Sequence, residues 1–391
     1  MTLARLWLLA LMGIVVAGLL LPGCGEKIAI PEPVGLYSGS PYRVIDTFTD
    51  PGAPVQLTIA NNTLLVLTPT ALTKRDQNYG VVAFSGEPVA VTDLTDARAL
   101  CVNREETQVF VYDRGTSTIS WYRTSDLTLQ GSSEVPEVID GVSLATSAVG
   151  TADVPGIDIF LYVSDPGAGV VHRYAVDPVS GLYSYGILCR DDGDAARFVH
   201  EPAGLVQDSQ DSLLVCDLDT TRNWVIRFDS TPQLDDVTAD PDDQDPWRGR
   251  AALWGNFSGC LPRPAADYVL GNAAGCGESD WVGGTSTEQG EFYSPRALAI
   301  DGSGRIFVAD TGNSRVQVFE PSGDYALLFG NPEETPAPVS LGLVDVVSDP
   351  ANNRINYAAY VFVLLENGGQ VLKFISNDQA NDEGLPPPDL P

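Results

Sequence analysis

Residues Phe292 to Gly330 read FYSPRALAIDGSGRIFVADTGNSRVQVFEPSGDYALLFG, and four strands separate themselves within that stretch. Arg296 to Ile300 is short and rich in small residues, and Asp301-Gly302-Ser303-Gly304 closes it. Asp-Gly between two apolar runs signals a hairpin, because the tight turn needs positive φ, which glycine adopts freely. Arg305 to Ala309 is apolar on both faces, the pattern of a strand covered by sheets on either side. Asp310-Thr311-Gly312-Asn313 turns the chain again. Arg315 to Phe319 alternates Val316 and Val318 with Arg315, Gln317 and Phe319, as a half-buried strand does. Pro321 to Asp324 makes a third turn, and Tyr325 to Phe329 completes a four-stranded sheet. Long helical periodicity is absent.

The segment closely resembles an NHL repeat, one blade of a β-propeller. The likeness rests on Phe292, Pro295, Ala299-Ile300-Asp301 and the run Val308 to Asn313, and Arg315, Val316 and Gly330 extend it. Other stretches repeat the scheme: Val55 to Phe84, Ala99 to Tyr122, Ile157 to Tyr174, Pro202 to Phe228 and Leu343 to Ile375. In the first of these, GVVAFSG reads as the third strand. Units recurring at the length of a four-stranded blade predict an all-β, six-bladed β-propeller. Between Phe228 and Phe292 the gap is too wide, so we place an insertion at about 229–285 in the fourth blade. Within it, Ala266 to Asn272 resembles the outer strand that leads into some NHL repeats. A degenerate seventh blade hidden there is the alternative. No outer strand follows Ile375, yet Val44 to Phe48 precedes the first blade. Pairing those two ends closes the ring and removes an exposed edge.

The resulting division is 1–23 signal peptide, 24–41 tether, 42–376 propeller and 377–391 a tail expected to carry no fold. Arg5 followed by the apolar run Leu6 to Leu21 is too short for a membrane span and reads as a secretory signal. It ends in Leu21-Pro22-Gly23-Cys24, which resembles a bacterial lipoprotein lipobox. That resemblance implies a lipid, with palmitate among its acyl chains, on Cys24. It further implies an exported, envelope-anchored chain that meets the membrane through the lipid only. Gly25 is not the Asp that commonly signals inner-membrane retention, so the outer membrane is expected. The chain has 52 acidic and 22 basic residues, a net charge of −30. Such a field repels phosphate backbones, so a nucleic-acid partner is excluded and cationic partners are favoured.

Of the six cysteines, Cys260 and Cys276 share one loop-rich stretch where a disulfide would act as a staple in an oxidising compartment. Cys216 reads as a buried thiol; the pairing of Cys101 and Cys189 stays open. His172 and His200 are the only histidines, and no nucleophile elbow accompanies either. His172 sits in a strand; His200, with Glu201 beside it, lies in a loop where propellers present groups to a face. An Asp recurs at the end of the second strand of successive blades, as Asp113, Asp165, Asp217 and Asp310, and Glu366 falls close to the same place in the sixth. Such a ring of carboxylates can ligate Ca²⁺, or each can cap its own turn. Repetition in every blade is what the cap predicts. Asp208 and Asp301 end inner strands beside turns in the same way. Trp224, Trp247, Trp254 and Trp281 cluster around the insertion, making it a candidate interface for a protein or glycan. The expected function is a monomeric binding or scaffold propeller. The alternative is a Ca²⁺-dependent hydrolase or lyase at the central channel.

Overall fold

The computed structural model describes residues 41–147, 159–177, 181–188, 200–209, 212–219, 223–228, 266–271, 287, 289–321, 323–346, 357–366 and 369–385. The described residues form six four-stranded antiparallel sheets and one small hairpin. Blade 1 runs from Gln56–Ala60 through Thr63–Thr68 and Ala71–Arg75 to Ala90–Val91. Blade 2 comprises Ala97–Val102, Gln108–Asp113, Thr118–Arg123 and Leu129–Glu134. Blade 3 comprises Ser143–Thr146, Ile159–Asp165, Val170–Asp177 and Gly181–Leu188. In blade 4, Pro202–Gln207, Leu213–Asp217 and Trp224–Phe228 are completed by Ala266–Gly271. Blade 5 comprises Pro295–Ile300, Ile306–Asp310, Arg315–Phe319 and Tyr325–Phe329. Blade 6 comprises Pro338–Val346, Tyr357–Leu365, Gln370–Ser376 and, from the other end of the chain, Tyr42–Thr49. The first strand of each blade touches the first strands of its two neighbours, so the six sheets close into a ring. The chain is a six-bladed β-propeller.

The second strand of each blade is apolar on both faces because it is covered on both. Leu64 to Leu67, Val109 to Tyr112, Leu213 to Cys216 and Ile306 to Ala309 are all buried. Each blade-to-blade seam is therefore a hydrophobic layer: Phe110, Trp121, Leu161 and Tyr174 lie between blades 2 and 3, and Phe292, Phe319, Leu214 and Cys216 between blades 4 and 5. Each such side chain contributes about 1.5–3 kcal/mol by leaving water.

Closure follows the expected route. Tyr42–Thr49 pairs antiparallel with Gln370–Ser376, from Tyr42 opposite Ser376 to Thr49 opposite Gln370. Tyr42 is buried, with its ring 4.6 Å from Phe329 and 6.1 Å from Phe307, and its hydroxyl donates to the Ala358 carbonyl at 2.9 Å. A bulge between Val44 and Asp46 turns Ile45 outward.

Two details differ from expectation. The third strand of blade 1 is Ala71–Arg75; Ala83–Phe84 and Glu87–Pro88 instead make a separate hairpin around Ser85-Gly86, both at positive φ. The Thr68 hydroxyl accepts from the Ala71 N–H at 3.0 Å, closing a tight turn that sends ALTKR straight back along the preceding strand. The polar Lys74 in that run is buried, its ammonium donating to the Thr124 carbonyl at 2.9 Å, which is why the strand escapes a hydrophobicity reading. Second, the segment after Ser376 opens with a short helix, Asn377–Asp382. Ser376 caps it, accepting from Gln379 N–H at 3.2 Å, and Ala380 is buried. Ala266–Gly271 pairs with Trp224–Phe228 as the outer strand of blade 4, and the ring has six blades, not seven.

Candidate functional site

All inner strands run in one direction, so the ring has two chemically distinct faces. At the upper face inner strands begin and second strands end, which brings the recurring aspartates there. At the lower face inner strands end, and Tyr42 and Ser376 lie together beside it.

The upper-face aspartates spend their oxygens on the chain. Asp113 accepts from Thr95 N–H (2.8 Å), Asp96 N–H (2.9 Å) and Gly115 N–H (2.9 Å). Asp165 accepts from Ile139 (2.6 Å), Asp140 (3.1 Å) and Ala168 (3.1 Å) N–H groups. Asp217 accepts from His200 (3.2 Å), Glu201 (3.0 Å) and Asp219 (3.1 Å) N–H groups. Asp310 accepts from Tyr293 N–H at 2.8 Å, Arg315 Nε at 2.7 Å, Asn313 Nδ2 at 2.9 Å and Gln317 Nε2 at 3.0 Å. The repetition thus has a structural cause wider than the turn cap. Each carboxylate ties the loop that leads into its blade's inner strand, and in blades 2 to 4 it also takes an N–H of its own turn. Burial pushes Asp165 up, but the His172 hydrogen bond and its three amides pull it below the usual carboxylate range. At Asp310 burial wins and the carboxyl is raised despite its donors. A Ca²⁺ ion needs the lone pairs these donors already hold. Among the described residues no three His, Cys, Asp or Glu side chains converge as ligands for a metal.

The histidines are engaged in the same framework. His172 is buried with Nε2 3.4 Å from Asp165 Oδ2, and His200 Nδ1 lies 3.0 Å from Asp219 Oδ2. The Glu201 side chain is exposed on the upper face. Trp224 is buried in blade 4 and presents no surface to a partner. Cys101 and Cys216 are buried free thiols, both held protonated by burial. Cys24, Cys189, Cys260, Cys276, Trp247, Trp254 and Trp281 lie outside the described residues.

The inner strands enclose a cavity of about 620 Å³ along the ring axis. Thr58, Val102, Val206, Ile300 and Leu343 form part of its wall. Polar side chains lace neighbouring inner strands together: Gln56 Oε1 accepts from Leu100 N–H (2.7 Å), Ser143 Oγ from Leu205 N–H (3.0 Å) and Ser340 Oγ from Leu57 N–H (3.1 Å). Between blades 4 and 5 the backbones approach instead; a Cβ on Gly204 would stand 2.6 Å from the Arg296 carbonyl oxygen.

At the lower mouth most acidic groups are again consumed. Asp208 pairs with Arg227, Nε at 2.8 Å, and caps its turn through Ser212 N–H at 2.9 Å. Asp301 pairs with Arg305, Nε at 2.9 Å, and accepts from Ser303 and Arg305 N–H groups at 3.0 and 2.9 Å. Glu106 takes the Asn61 N–H. Asp345 is the exception. Its Oδ2 accepts from Gly302 N–H at 2.7 Å, across the seam between blades 5 and 6. Its Oδ1 is buried and has no donor among the described residues. Burial, reinforced by the charges of Asp301 and Glu106, pushes its pKa up to about 6. A carboxyl so shifted, in a cavity wall, marks a functional candidate. Sequence reading missed it, although it stands where Asp208 and Asp301 stand in their blades, at the end of an inner strand; the signal was the neighbouring apolar run Leu343-Val344.

Residues 292–319 match the NHL repeat family model. No curated protein matches the chain in sequence. Among solved structures, virginiamycin B lyase from Staphylococcus aureus is 9% identical, with TM-score 0.43, covering 85% of this chain and 99% of that one. A streptogramin B lyase is 11% identical, with TM-score 0.48 and coverage of 86% and 98%. A β-propeller domain from Myceliophteria thermophila is 9% identical, with TM-score 0.48 and coverage of 85% and 99%.

Proposed function

We propose that this six-bladed β-propeller, with its NHL repeat in blade 5, is a binding module for a protein or glycan. In this reading it is carried on the outer membrane of a cell envelope by a lipid on Cys24, and its ligand seats in the central channel. One observation carries the proposal. The upper-face carboxylates and both histidines are held by loop amides and neighbouring side chains, whereas the channel keeps an open volume walled by all six inner strands. The charge of −30 favours a cationic partner.

A hydrolase or lyase reading has one observation in its favour, the raised Asp345 carboxyl, which suits general acid–base work near neutral pH. Its Ca²⁺-dependent form would need carboxylates that the upper-face loops have already taken. The channel as the binding site is tested in one experiment. Cross-linked pull-down from native envelopes should recover the same partner with wild type and with Glu201→Gln, and lose it with Val206→Trp, which fills the channel. A partner retained by Val206→Trp would refute the channel as the site. Mass spectrometry of the mature N-terminus tests the lipid: an unmodified Cys24 would remove the anchor from the proposal.

A further inference from the structure

We propose that the lower end of the seam between blades 5 and 6 is a pH-sensitive latch, which closes when Asp345 takes a proton and loosens when Asp345 is ionised. In giving that latch control of the channel's lower mouth, the inference rests on the channel reading above.

The seam is firmly built elsewhere. At its upper end the Thr311 hydroxyl donates to the Pro338 carbonyl at 2.6 Å, and Arg296 pairs with Glu366 at 2.6 Å. Along its middle, Phe307, Ala309 and Val316 share one hydrophobic layer with Leu341, Val361 and Val363. At the lower end two hydrogen bonds cross the seam among the described residues. Gly302 N–H donates to Asp345 Oδ2 at 2.7 Å, and Ala358 N–H donates to Asp301 Oδ2 at 3.3 Å. The turn from Asp301 to Gly304 also closes on itself. Asp301 Oδ1 takes the Ser303 and Arg305 N–H groups, and its carbonyl takes the Gly304 N–H at 2.8 Å. Gly302 is exposed, so the turn can lift from blade 6 and keep its own shape.

Asp345 stands where a charge is poorly tolerated. Its Oδ1 is buried without a donor, and an ionised oxygen so placed has neither water nor a hydrogen bond to stabilise it. Blade 5 faces it with Asp301 and with Arg305, whose guanidinium is held on Asp301 Oδ2 at 2.9 and 2.7 Å. The turn after the inner strand of blade 2 adds the charge of Glu106. Blade 1 packs apolar Leu57 and Ile59 against the same inner strand. The neutral acid therefore suits the closed seam, in keeping with the raised pKa of Asp345. Lifting the Gly302 turn admits water to the carboxylate. The closed form thus binds the proton more tightly, so closure is favoured in acid and is lost as pH rises through about 6. Asp301, Gly302 and Ser303 line the lower mouth, which widens when their turn lifts.

Hydrogen exchange of the full chain at about pH 5 and about pH 7.5, each rate divided by the intrinsic rate of its amide, tests this. Opening at Gly302 should be about three- to tenfold more frequent at the higher pH. Leu205 N–H, held across another seam by the Ser143 hydroxyl, has a partner that does not titrate and should not change. Asp345→Asn keeps the shape without the charge and should leave Gly302 as protected at the higher pH as wild type is at the lower. Equal opening of Gly302 at both pH values, a change that Leu205 shares, or one that survives Asp345→Asn would overturn the latch. An envelope partner retained by Val206→Trp refutes the channel as the site and leaves the latch standing. Flat exchange in a chain whose partner is lost with Val206→Trp sinks the latch alone.

Discussion

Asp301 and Asp345 reach across one seam in opposite directions. Asp345, on blade 6, accepts the Gly302 N–H of blade 5 at 2.7 Å, while Asp301, on blade 5, accepts the Ala358 N–H of blade 6 at 3.3 Å. Only Asp301 also carries a cation, Arg305. The unequal compensation makes one carboxylate structural and leaves the other poised.

Asp345 therefore gives a pH signature. Its pKa is raised from 3.8 to about 6 in the folded protein, so the folded state holds the proton more tightly than the unfolded chain. Its contribution is most favourable below the unfolded value, is lost as pH rises through about 6, and is flat above. The full shift corresponds to about 3 kcal/mol, which partial solvent access reduces to about 1–2 kcal/mol. Asp345→Asn should match wild type in urea midpoint near pH 4 and exceed it at pH 7 by that margin. A difference that does not change with pH contradicts the assignment.

Tyr42 fixes the clasp. Tyr42→Ala removes a buried ring from between Phe307 and Phe329 and should cost about 3–5 kcal/mol. Tyr42→Phe loses only the bond to Ala358 and should cost about 1 kcal/mol. Guanidinium denaturation of the two variants gives the ordering; equal losses would show that the strand is not what seals the ring.

Asp113 anchors a loop. In Asp113→Ala the N–H groups of Thr95, Asp96 and Gly115 lose their acceptor, and about 1–3 kcal/mol should be lost. Calcium at about 1 mM should leave the wild-type melting temperature unmoved, since a ligand stabilises only by binding. A calcium-dependent rise that Asp113→Ala abolishes would show these carboxylates to be ligands after all.

Gly204 permits the close approach of blades 4 and 5. Gly204→Ala sets a methyl against the Arg296 carbonyl and the Ala297 Cα, at 2.6 and 2.9 Å, and both are backbone atoms that cannot swing aside. Overpacking of this kind costs about 1–3 kcal/mol. A variant as stable as wild type by thermal melt would mean that the seam is loose.

The blades were legible where hydrophobic periodicity and turn residues agree. In blade 5, Asp301-Gly302 and the doubly apolar Ile306 to Ala309 mark strands that the structure places within a residue. Val44 to Phe48 was recoverable because a propeller short of one outer strand must find it at the other terminus. Blade 1 misled because its third strand buries Lys74 and is followed by a more apolar decoy, Val81 to Phe84. The aspartate ring was legible as a structural device, but its partners were not: Asp113 and Thr95 are brought together only by pairing of strands between them. Asp345 escaped for a related reason, since a missing hydrogen bond leaves no trace in a sequence.

Pairing of Tyr42–Thr49 with Gln370–Ser376 also orders events in time. The strand made first on the ribosome is the last to find its neighbour, after roughly 330 further residues, an interval of about 15–65 s at usual synthesis rates. Through that wait it is an open edge able to recruit other chains. Arg43 and Asp46, opposite charges on either side of Val44-Ile45, make it a poor template for foreign strands through that wait, and the bulge at Ile45 forms only when the ring closes.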